Sequence, residues 1–158
     1  MPKKKEKATQ TIYPIQLISL NVLELYIKVK KPIGSEDLQL DEADFSIHTG
    51  HSDYDEKRHT IEIAVRLEIG EEEGTKSPFR MTIVLGGVFI VDETEFPMEH
   101  IIDWAKQNAP IILYPYLREQ AFSLTARCGF PGIILPLLTV PTFKIEPGNK
   151  IKTVKVKA

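Results

Sequence analysis

The sequence has little of what secreted, membrane-spanning or nucleic-acid-binding proteins need. Cys128 is the single cysteine among 158 residues, so no internal disulfide can form, which fits a reducing cytoplasm. No uncharged apolar run reaches the roughly 18 residues of a membrane span, and no signal peptide opens the chain. The net charge of -2 provides no strong attraction to nucleic acid or to membranes. We therefore expect a cytoplasmic protein with no membrane insertion and no nucleic-acid partner.

Motifs for phosphate binding, nucleophilic catalysis and metal binding are also missing. The chain has no glycine-rich nucleotide loop, no nucleophile elbow, no HExxH pair and no CxxC pair. A histidine-rich stretch comes nearest to a metal site, and its members are His48, His51, Asp53 and His59. Their spacing matches no recognised ligand pattern, so a polar hairpin end is the simpler interpretation. We expect no metal or other cofactor, no catalytic residue and no enzyme activity.

What the sequence does have is a series of four strand patterns followed by one helix pattern. The strand patterns cover residues 11–29, 43–49, 59–69 and 79–91. The third alternates strictly between apolar and polar side chains, which is typical of an antiparallel strand with one buried face. Strands that do not alternate with helices exclude a parallel sheet. The expected fold class is α+β, an antiparallel four-stranded meander with a long kinked helix packed on its apolar face.

The first and last strand patterns are irregular. Pro14 predicts that the first strand lies at an edge of the sheet, because proline cannot donate a ladder hydrogen bond. Apolar residues in this strand do not keep a period of two, which predicts either cover on both faces or a bulge that shifts the phase. Gly86 and Gly87 interrupt the fourth strand and predict a bulge or a close approach of another backbone.

The helix pattern begins at Pro97 and is apolar over more than half its circumference. Pro110 and Pro115 lie inside it, so we expect a kink or a restart near Pro110. A helix exposed to water needs a single apolar stripe, so this one should be covered on two sides. Gly129 is a candidate stop signal.

An apolar, proline-broken stretch follows the helix over residues 131–143 and should lie extended across an apolar surface. We expect one domain over residues 11–145. A disordered basic lead at 1–10 precedes it, and a tail or an added strand at 146–158 follows it.

Aromatic side chains are concentrated in the second half of the chain. They are Phe79, Phe89, Phe96, Trp104, Tyr114, Tyr116, Phe122, Phe130 and Phe143. One sheet and one helix bury one apolar face each, so a core of this kind would leave some of these aromatic side chains exposed. The surplus predicts an oligomer interface, a binding groove for apolar ligands, or both.

The second half of the chain also resembles a known family, from about residue 79 to residue 143. A glycine pair in an aromatic strand precedes a helix that reads NAPIILYPYLRE, and RCGFP and a leucine–proline loop follow. This pattern resembles the SecB protein-export chaperone family. The matching positions are Gly86, Gly87, Phe89, Pro110, Ile112, Leu113, Pro115, Tyr116, Arg118, Glu119, Arg127, Phe130, Pro131 and Leu135.

The resemblance implies an activity and an assembly. SecB-like proteins bind unfolded or preprotein polypeptides in apolar, aromatic-lined grooves without ATP, which implies a holdase linked to protein export. Two protomers join their sheets, and two dimers pack their helices into a homotetramer. The implied client-binding residues are Phe79, Phe89, Tyr116, Phe130, Ile133 and Leu135. The implied oligomer interface comprises Trp104, Ile111, Arg118, Glu119 and Phe122.

Several residues differ from the family pattern, and these differences concern the expected partner protein. In export SecB an acidic sheet surface recruits the SecA translocase motor, whereas this chain carries Asn21, Arg80 and Thr82 at the matching places. A positive Arg80 would oppose a basic partner. The family's second helix and acidic tail are replaced here by a lysine-rich end. These departures weigh against a SecA partnership but not against client binding, and they leave open an alternative, a dedicated chaperone or adaptor for one partner such as an antitoxin.

A third hypothesis from the residues is a small-molecule binder or enzyme in the crevice between helix and sheet, with Glu119 as a buried acid. A salt-bridging role for Arg118 and Glu119, between subunits or between helix and sheet, is the simpler interpretation.

Overall fold

The computed structural model describes residues 11–30, 45–70 and 77–138. Its strands are β1 (Ile15–Val29), β2 (Phe45–His51), β3 (Thr60–Ile69) and β4 (Phe79–Val91). A short 3₁₀ turn (Met98–His100) leads into helices α1 (Ile101–Gln107) and α2 (Ala109–Arg127). The expected lead at 1–10 and tail at 146–158 lie outside the described residues.

The four strands form one antiparallel sheet in the order β1-β4-β3-β2. The α+β class is confirmed, but the expectation of a four-strand meander is wrong, because β1 pairs with β4 and not with β2. Strand length explains this pairing. β1 has 15 residues and β4 has 13, whereas β2 has only 7 and could match no more than half of β1. β1 therefore lies at an edge, as Pro14 predicted.

Two bulges in β1 explain its broken period. The pairing with β4 shifts between Leu17 and Ser19 and again between Val22 and Glu24, so that Ile18 and Leu23 are extra residues. Each extra residue returns the next apolar side chains to the face that carries the helix. The residues on that face are Ile15, Leu17, Leu20, Val22, Leu25, Ile27 and Val29.

The core lies between the sheet and the helices. β3 and β4 present their alternate apolar side chains to α2, and these side chains are almost completely buried. Gly87 is needed at this contact, because a Cβ there would lie 2.9 Å from Leu113 Cδ2 and 3.1 Å from Leu17 Cδ1. The sequence predicted a bulge or a close approach of another backbone at the glycine pair. The structure instead brings side chains close to both glycines, and the bulges lie in β1 opposite.

The predicted helix break is confirmed near Pro110. α1 ends at Gln107, Asn108 forms the break, and α2 begins at Ala109 with the proline in its first turn. A straight continuation would place the proline ring against the carbonyl of Lys106, whereas in a new first turn the missing N–H costs nothing. Gly129 follows α2 with φ 84°, which is the left-handed conformation that ends many helices.

After α2 the chain runs extended over residues 130–138, which we name the exit segment. It contains no helix or strand after Phe130, as its prolines predicted. Ile133 and Leu135 point into the core, whereas Ile134 and Leu137 point outward. The rest of the predicted apolar stretch lies outside the described residues.

Candidate functional site

One exposed apolar feature is a row of side chains on β1. They lie on the face of the sheet that carries the helix, but α2 packs mainly on β3 and β4 and leaves them half uncovered. We name this row the β1 strip; it consists of Leu20, Val22, Leu25 and Val29, which are 36–48% exposed. Half-covered leucine and valine side chains in a continuous row are typical of a surface that another chain covers.

The outer edge of β1 adds unpaired backbone groups to this strip. Within the described residues β1 has β4 as its partner on one side and no strand on the other. A 15-residue edge is long, and alternate N–H and C=O groups along it can pair with another extended chain. No charged side chain of β1 points inward, but the bulges at Ile18 and Leu23 interrupt the edge and divide it into shorter regular stretches.

A second exposed apolar feature lies on the outer side of α2. We name it the helix patch; it consists of Ile112, Tyr116 and Phe122. The opposite side of the same helix carries Leu113, Leu117 and Ala121, which are fully buried against the sheet. α2 is therefore apolar on two sides, as its sequence predicted, and the described chain covers one of them.

Side chains of α2 hold the exit segment through its backbone. The Ile133 N–H donates to Thr125 Oγ1 at 3.0 Å, and Arg118 Nε donates to the Leu135 carbonyl at 3.1 Å. The Tyr114 hydroxyl donates to the Pro136 carbonyl. Burial raises the pKa of Tyr114, so its hydroxyl stays protonated and remains a donor at every physiological pH. The exit segment held by these bonds runs antiparallel to α2.

Ring packing fastens the same segment at its beginning. Phe122 covers Gly132 so closely that any Cβ at that position would overlap the phenyl ring. Phe130 packs against Phe79 of β4 with ring centroids 5.2 Å apart and planes tilted by 58°. The turn after α2 is therefore anchored to both the helix and the sheet.

The structure places most of the implied client-binding residues inside the core. Phe79, Phe89 and Leu135 are fully buried, Phe130 and Ile133 are nearly so, and Tyr116 is 41% exposed. Contact between a polypeptide and the buried members would require the exit segment to move. The client-binding assignment therefore stays a prediction, with Tyr116 as its exposed member.

The implied interface residues are divided in the same way. Trp104 is buried, with its indole edge against Phe89 and ring centroids 5.1 Å apart. Phe122 and Glu119 are exposed on α2, while Ile111 and Arg118 are half-buried. Arg118 is bonded within its own chain to the exit segment. Exposure alone makes Phe122 and Glu119 the members most accessible to a second subunit.

The histidine-rich stretch does not converge on one point. His48 Nε2 lies 3.8 Å from Glu68, and His51 Nδ1 is bonded to the Ser52 carbonyl at 2.8 Å. His59 Nδ1 lies 3.0 Å from Glu93, which also accepts a 2.6 Å hydrogen bond from Tyr54. The described residues contain no group of three or more His, Cys, Asp or Glu side chains that could hold a metal ion.

The face of the sheet away from the helix carries charges of both signs. Arg66 of β3 lies 3.2 Å from Glu24 of β1 and also pairs with Glu68. Pairing register places Asn21, Arg80 and Thr82 on this same face. The pairing register also places Lys28 and Glu62 on this face. Its three cations, Lys28, Arg66 and Arg80, therefore equal its three carboxylates in number, and the face is not an acidic surface.

Sequence reasoning missed the β1 strip and two residues that bind the exit segment, Tyr114 and Thr125. The sequence did contain a signal for Tyr114 and Thr125. Tyr114, Arg118 and Thr125 recur at steps of 4 and 7 residues, which places three hydrogen-bonding side chains on one side of a helix. A proline-broken stretch that cannot form a ladder needs such partners for its backbone groups.

In the parts of the chain for which coordinates are described, no helix combines the length and apolarity that membrane crossing requires.

Comparison with known proteins points to one family. The model of the SecB family, described as preprotein translocase subunit SecB, matches residues 16–139. The protein-export protein SecB of Magnetococcus marinus is 26% identical over 136 residues, covering 82% of each chain. The protein-export protein SecB of Sinorhizobium fredii is 27% identical over 125 residues, covering 76% of this chain and 74% of that protein.

A solved structure shares the fold. The SecB-like chaperone of Mycobacterium tuberculosis, determined in complex with a peptide from an antitoxin, superposes with a TM-score of 0.63 at 20% identity. The match covers 82% of this chain and 94% of that chain. The matched family region runs from the second residue of β1 through both helices and the exit segment.

Proposed function

The chain belongs to the SecB family, and we propose that it is an ATP-independent holdase that binds unfolded or preprotein polypeptides before export. The observation that carries the proposal is apolar surface without reactive chemistry. The β1 strip and the helix patch are exposed, while the ion pairs among the described residues, such as His48 with Glu68 and His59 with Glu93, are scattered. Such surfaces bind scattered apolar side chains of an unfolded chain with little sequence selection.

We propose that the two exposed features divide the work of assembly and binding. The β1 strip, with its unpaired edge, joins the sheets of two protomers, and the part of the helix patch around Phe122 joins two such dimers into a tetramer. Phe122 and Glu119 contact the second dimer, with Trp104, Ile111 and Arg118 behind them. Tyr116 contacts clients, and Phe79, Phe89, Phe130, Ile133 and Leu135 form the apolar floor of the groove.

A partnership with SecA is not part of this proposal. Recruitment of a basic partner would need an acidic face, whereas on the face of the sheet away from the helix three cations balance three carboxylates. The second candidate function is a dedicated chaperone for one partner. It is supported by the solved SecB-like chaperone that binds an antitoxin peptide. We also propose that the protein works in the cytoplasm without cofactor, nucleic acid or catalytic step.

Light scattering tests the holdase function directly. A denatured test protein is diluted into buffer with and without this protein, in the absence of nucleotide, and its aggregation is followed. Suppression at stoichiometric amounts is expected. Failure to suppress the aggregation of several unrelated test proteins, combined with recovery of a single protein in a pull-down, would favour the dedicated chaperone instead.

A further inference from the structure

Positive charge is divided unevenly along the chain. Residues 11–138 contain 11 lysines and arginines against 20 aspartates and glutamates, which is a net charge of -9. Two lysine-rich stretches offset it. Residues 3–7 read KKKEK, with a net charge of +3, and residues 144–157 read KIEPGNKIKTVKVK, with a net charge of +4. The overall value of -2 therefore conceals two clusters of positive charge, and a cluster can attract a partner that the net charge would not.

Both stretches lie outside the described residues, but the residues next to them show from which part of the molecule each one starts. The chain that follows residues 3–7 is attached beside the beginning of α1. There the Asp92 N–H donates to the Pro14 carbonyl at 2.8 Å, and the Tyr13 hydroxyl lies against the indole of Trp104. The first stretch therefore starts from the end of the sheet at which β4 leads into the helices.

The second stretch starts from the same end. The last described bond before it joins the Pro136 carbonyl to the hydroxyl of Tyr114. Trp104 and Tyr114 are ten residues apart, which is roughly 15 Å along a helix. Lys7 and Lys144 are six and eight residues away from the two attachment points, or at most about 20–30 Å of extended chain. The two clusters can therefore reach one common surface.

We propose that the two lysine-rich stretches dock the protein reversibly on an anionic lipid surface. Clusters of four to eight cations are attracted to anionic membranes, and each lysine strengthens the binding about fivefold. The first stretch has four lysines and the second has five. Docking of this kind goes beyond the holdase function, because it brings a bound client to a membrane without the SecA partnership that the sheet disfavours. It requires no spanning helix.

The residue types favour lipid over nucleic acid as the anionic partner. Both stretches contain lysine but no arginine and no aromatic residue. Proteins that bind nucleic acid use the planar fork of arginine on phosphates and bases, and aromatic rings for stacking. In the second stretch Ile151, Val154 and Val156 alternate with lysines. Such apolar side chains can enter the boundary between head groups and acyl chains while the ammonium groups stay in water.

Carboxylates of the same protein are the competing partner for these lysines. Residues 92–103 carry five aspartates and glutamates at the same end of the molecule. Asp92 and Glu93 already accept hydrogen bonds from described side chains. An exposed ion pair changes an equilibrium by at most about fivefold, because two long side chains must be ordered to form it. A lipid surface needs no fixed partner for each lysine, so the gains of several lysines accumulate.

Sedimentation with sucrose-loaded vesicles tests the proposal on the full chain. Phosphatidylcholine with about 30% phosphatidylglycerol provides the anionic surface, and phosphatidylcholine alone provides a neutral one. We expect binding to the anionic vesicles at about 0.05 M salt and a steep loss of binding at about 0.3 M salt, because salt screens the lysine charges. No binding to the neutral vesicles is expected.

A matched pair of variants locates the charge. Lys155→Gln combined with Lys157→Gln should lower the partition coefficient roughly 25-fold, since each lysine contributes about fivefold. Lys28→Gln combined with Arg127→Gln is the control, and circular dichroism verifies the folding of both. The control also removes two exposed cations, but at the opposite end of the sheet, near Phe79. It should change the partition coefficient by less than about twofold, because charges at that distance are screened.

Equal binding to neutral and anionic vesicles would overturn the proposal, as would an equal loss of binding in the lysine variant and its control. Absence of vesicle binding would overturn it as well. If the lysine variant then loses binding to a labelled oligonucleotide or to an acidic peptide, the stretches serve that partner instead. Suppression of aggregation is measured separately, without vesicles. A protein that holds clients but ignores vesicles fails this proposal alone, and one that binds vesicles but holds no client fails the holdase function alone.

Discussion

The β1 strip should be required for assembly, and Val22→Lys tests it. Val22 and its neighbour Leu25 are 48% and 41% exposed in a single protomer. Full burial of such a side chain is worth roughly 1.5–3 kcal/mol, so each has roughly 1 kcal/mol still to gain from a covering chain. A twofold pair contains two copies of every contact, so the substitution removes roughly 2 kcal/mol, which is roughly 30-fold in the dissociation constant.

The lysine adds a further penalty, because two ammonium groups would be brought into an apolar contact. Sedimentation over a range of concentrations should therefore show dissociation of Val22→Lys where the wild type is still assembled. Val88→Lys is the matched control. It makes the same change on β4, but on the opposite face of the sheet and beside Glu62. Val22→Lys with unchanged mass at every concentration and a native dichroism spectrum would refute the role given to the β1 strip.

Three further predictions follow from the contacts. Gly87→Ala should lower the free energy of unfolding in urea by about 1–3 kcal/mol, because its Cβ would lie 2.9 Å from Leu113 Cδ2. Gly50→Ala, which meets nothing within 4 Å, should show no such packing loss. Hydrogen bonds from Tyr54 and then from His59 hold the pKa of Glu93 below its ordinary value. The stabilisation from Glu93 is therefore present above about pH 4.3 and is lost as the pH falls through the lowered pKa. Glu93→Gln should reduce the melting temperature at pH 7 and make little difference near pH 3; an equal reduction at both would contradict this. Tyr116→Asp should impair client holding or assembly, as measured by light scattering and native mass; a variant unchanged in both would remove Tyr116 from the site.

Elements set by short-range chemistry were predictable. The alternation in β3 and the proline break near Pro110 depend on neighbouring residues, and both were located to within a residue or two. Gly129 as a helix stop is local in the same way. Strand order was not predictable by this route, because it depends on which strands match in length and on a connection between opposite edges.

The candidate site was also predictable from the sequence only in part. The sequence indicates more apolar side chains than one protomer can cover, and it places aromatic residues at the centre of the surplus. In the structure several of the largest rings, including Phe79, Phe89 and Trp104, are buried, and the exposed surplus lies on β1 instead. Large rings gain most from burial and therefore take the core positions, while the edge strand is left partly uncovered by a helix that packs mainly on β3 and β4.

The α+β class, the helix break, the exit segment and the SecB-like pattern could all be predicted from the sequence, because each follows from periodicity, proline chemistry or a motif within a few residues. The folded structure was needed to show that β1 pairs with β4 through two bulges and that α2 leaves the β1 strip open. It also showed that three side chains of α2 hold the exit segment by its backbone. Those features join residues far apart in the chain, and pairing register and cover at such distances depend on the whole fold.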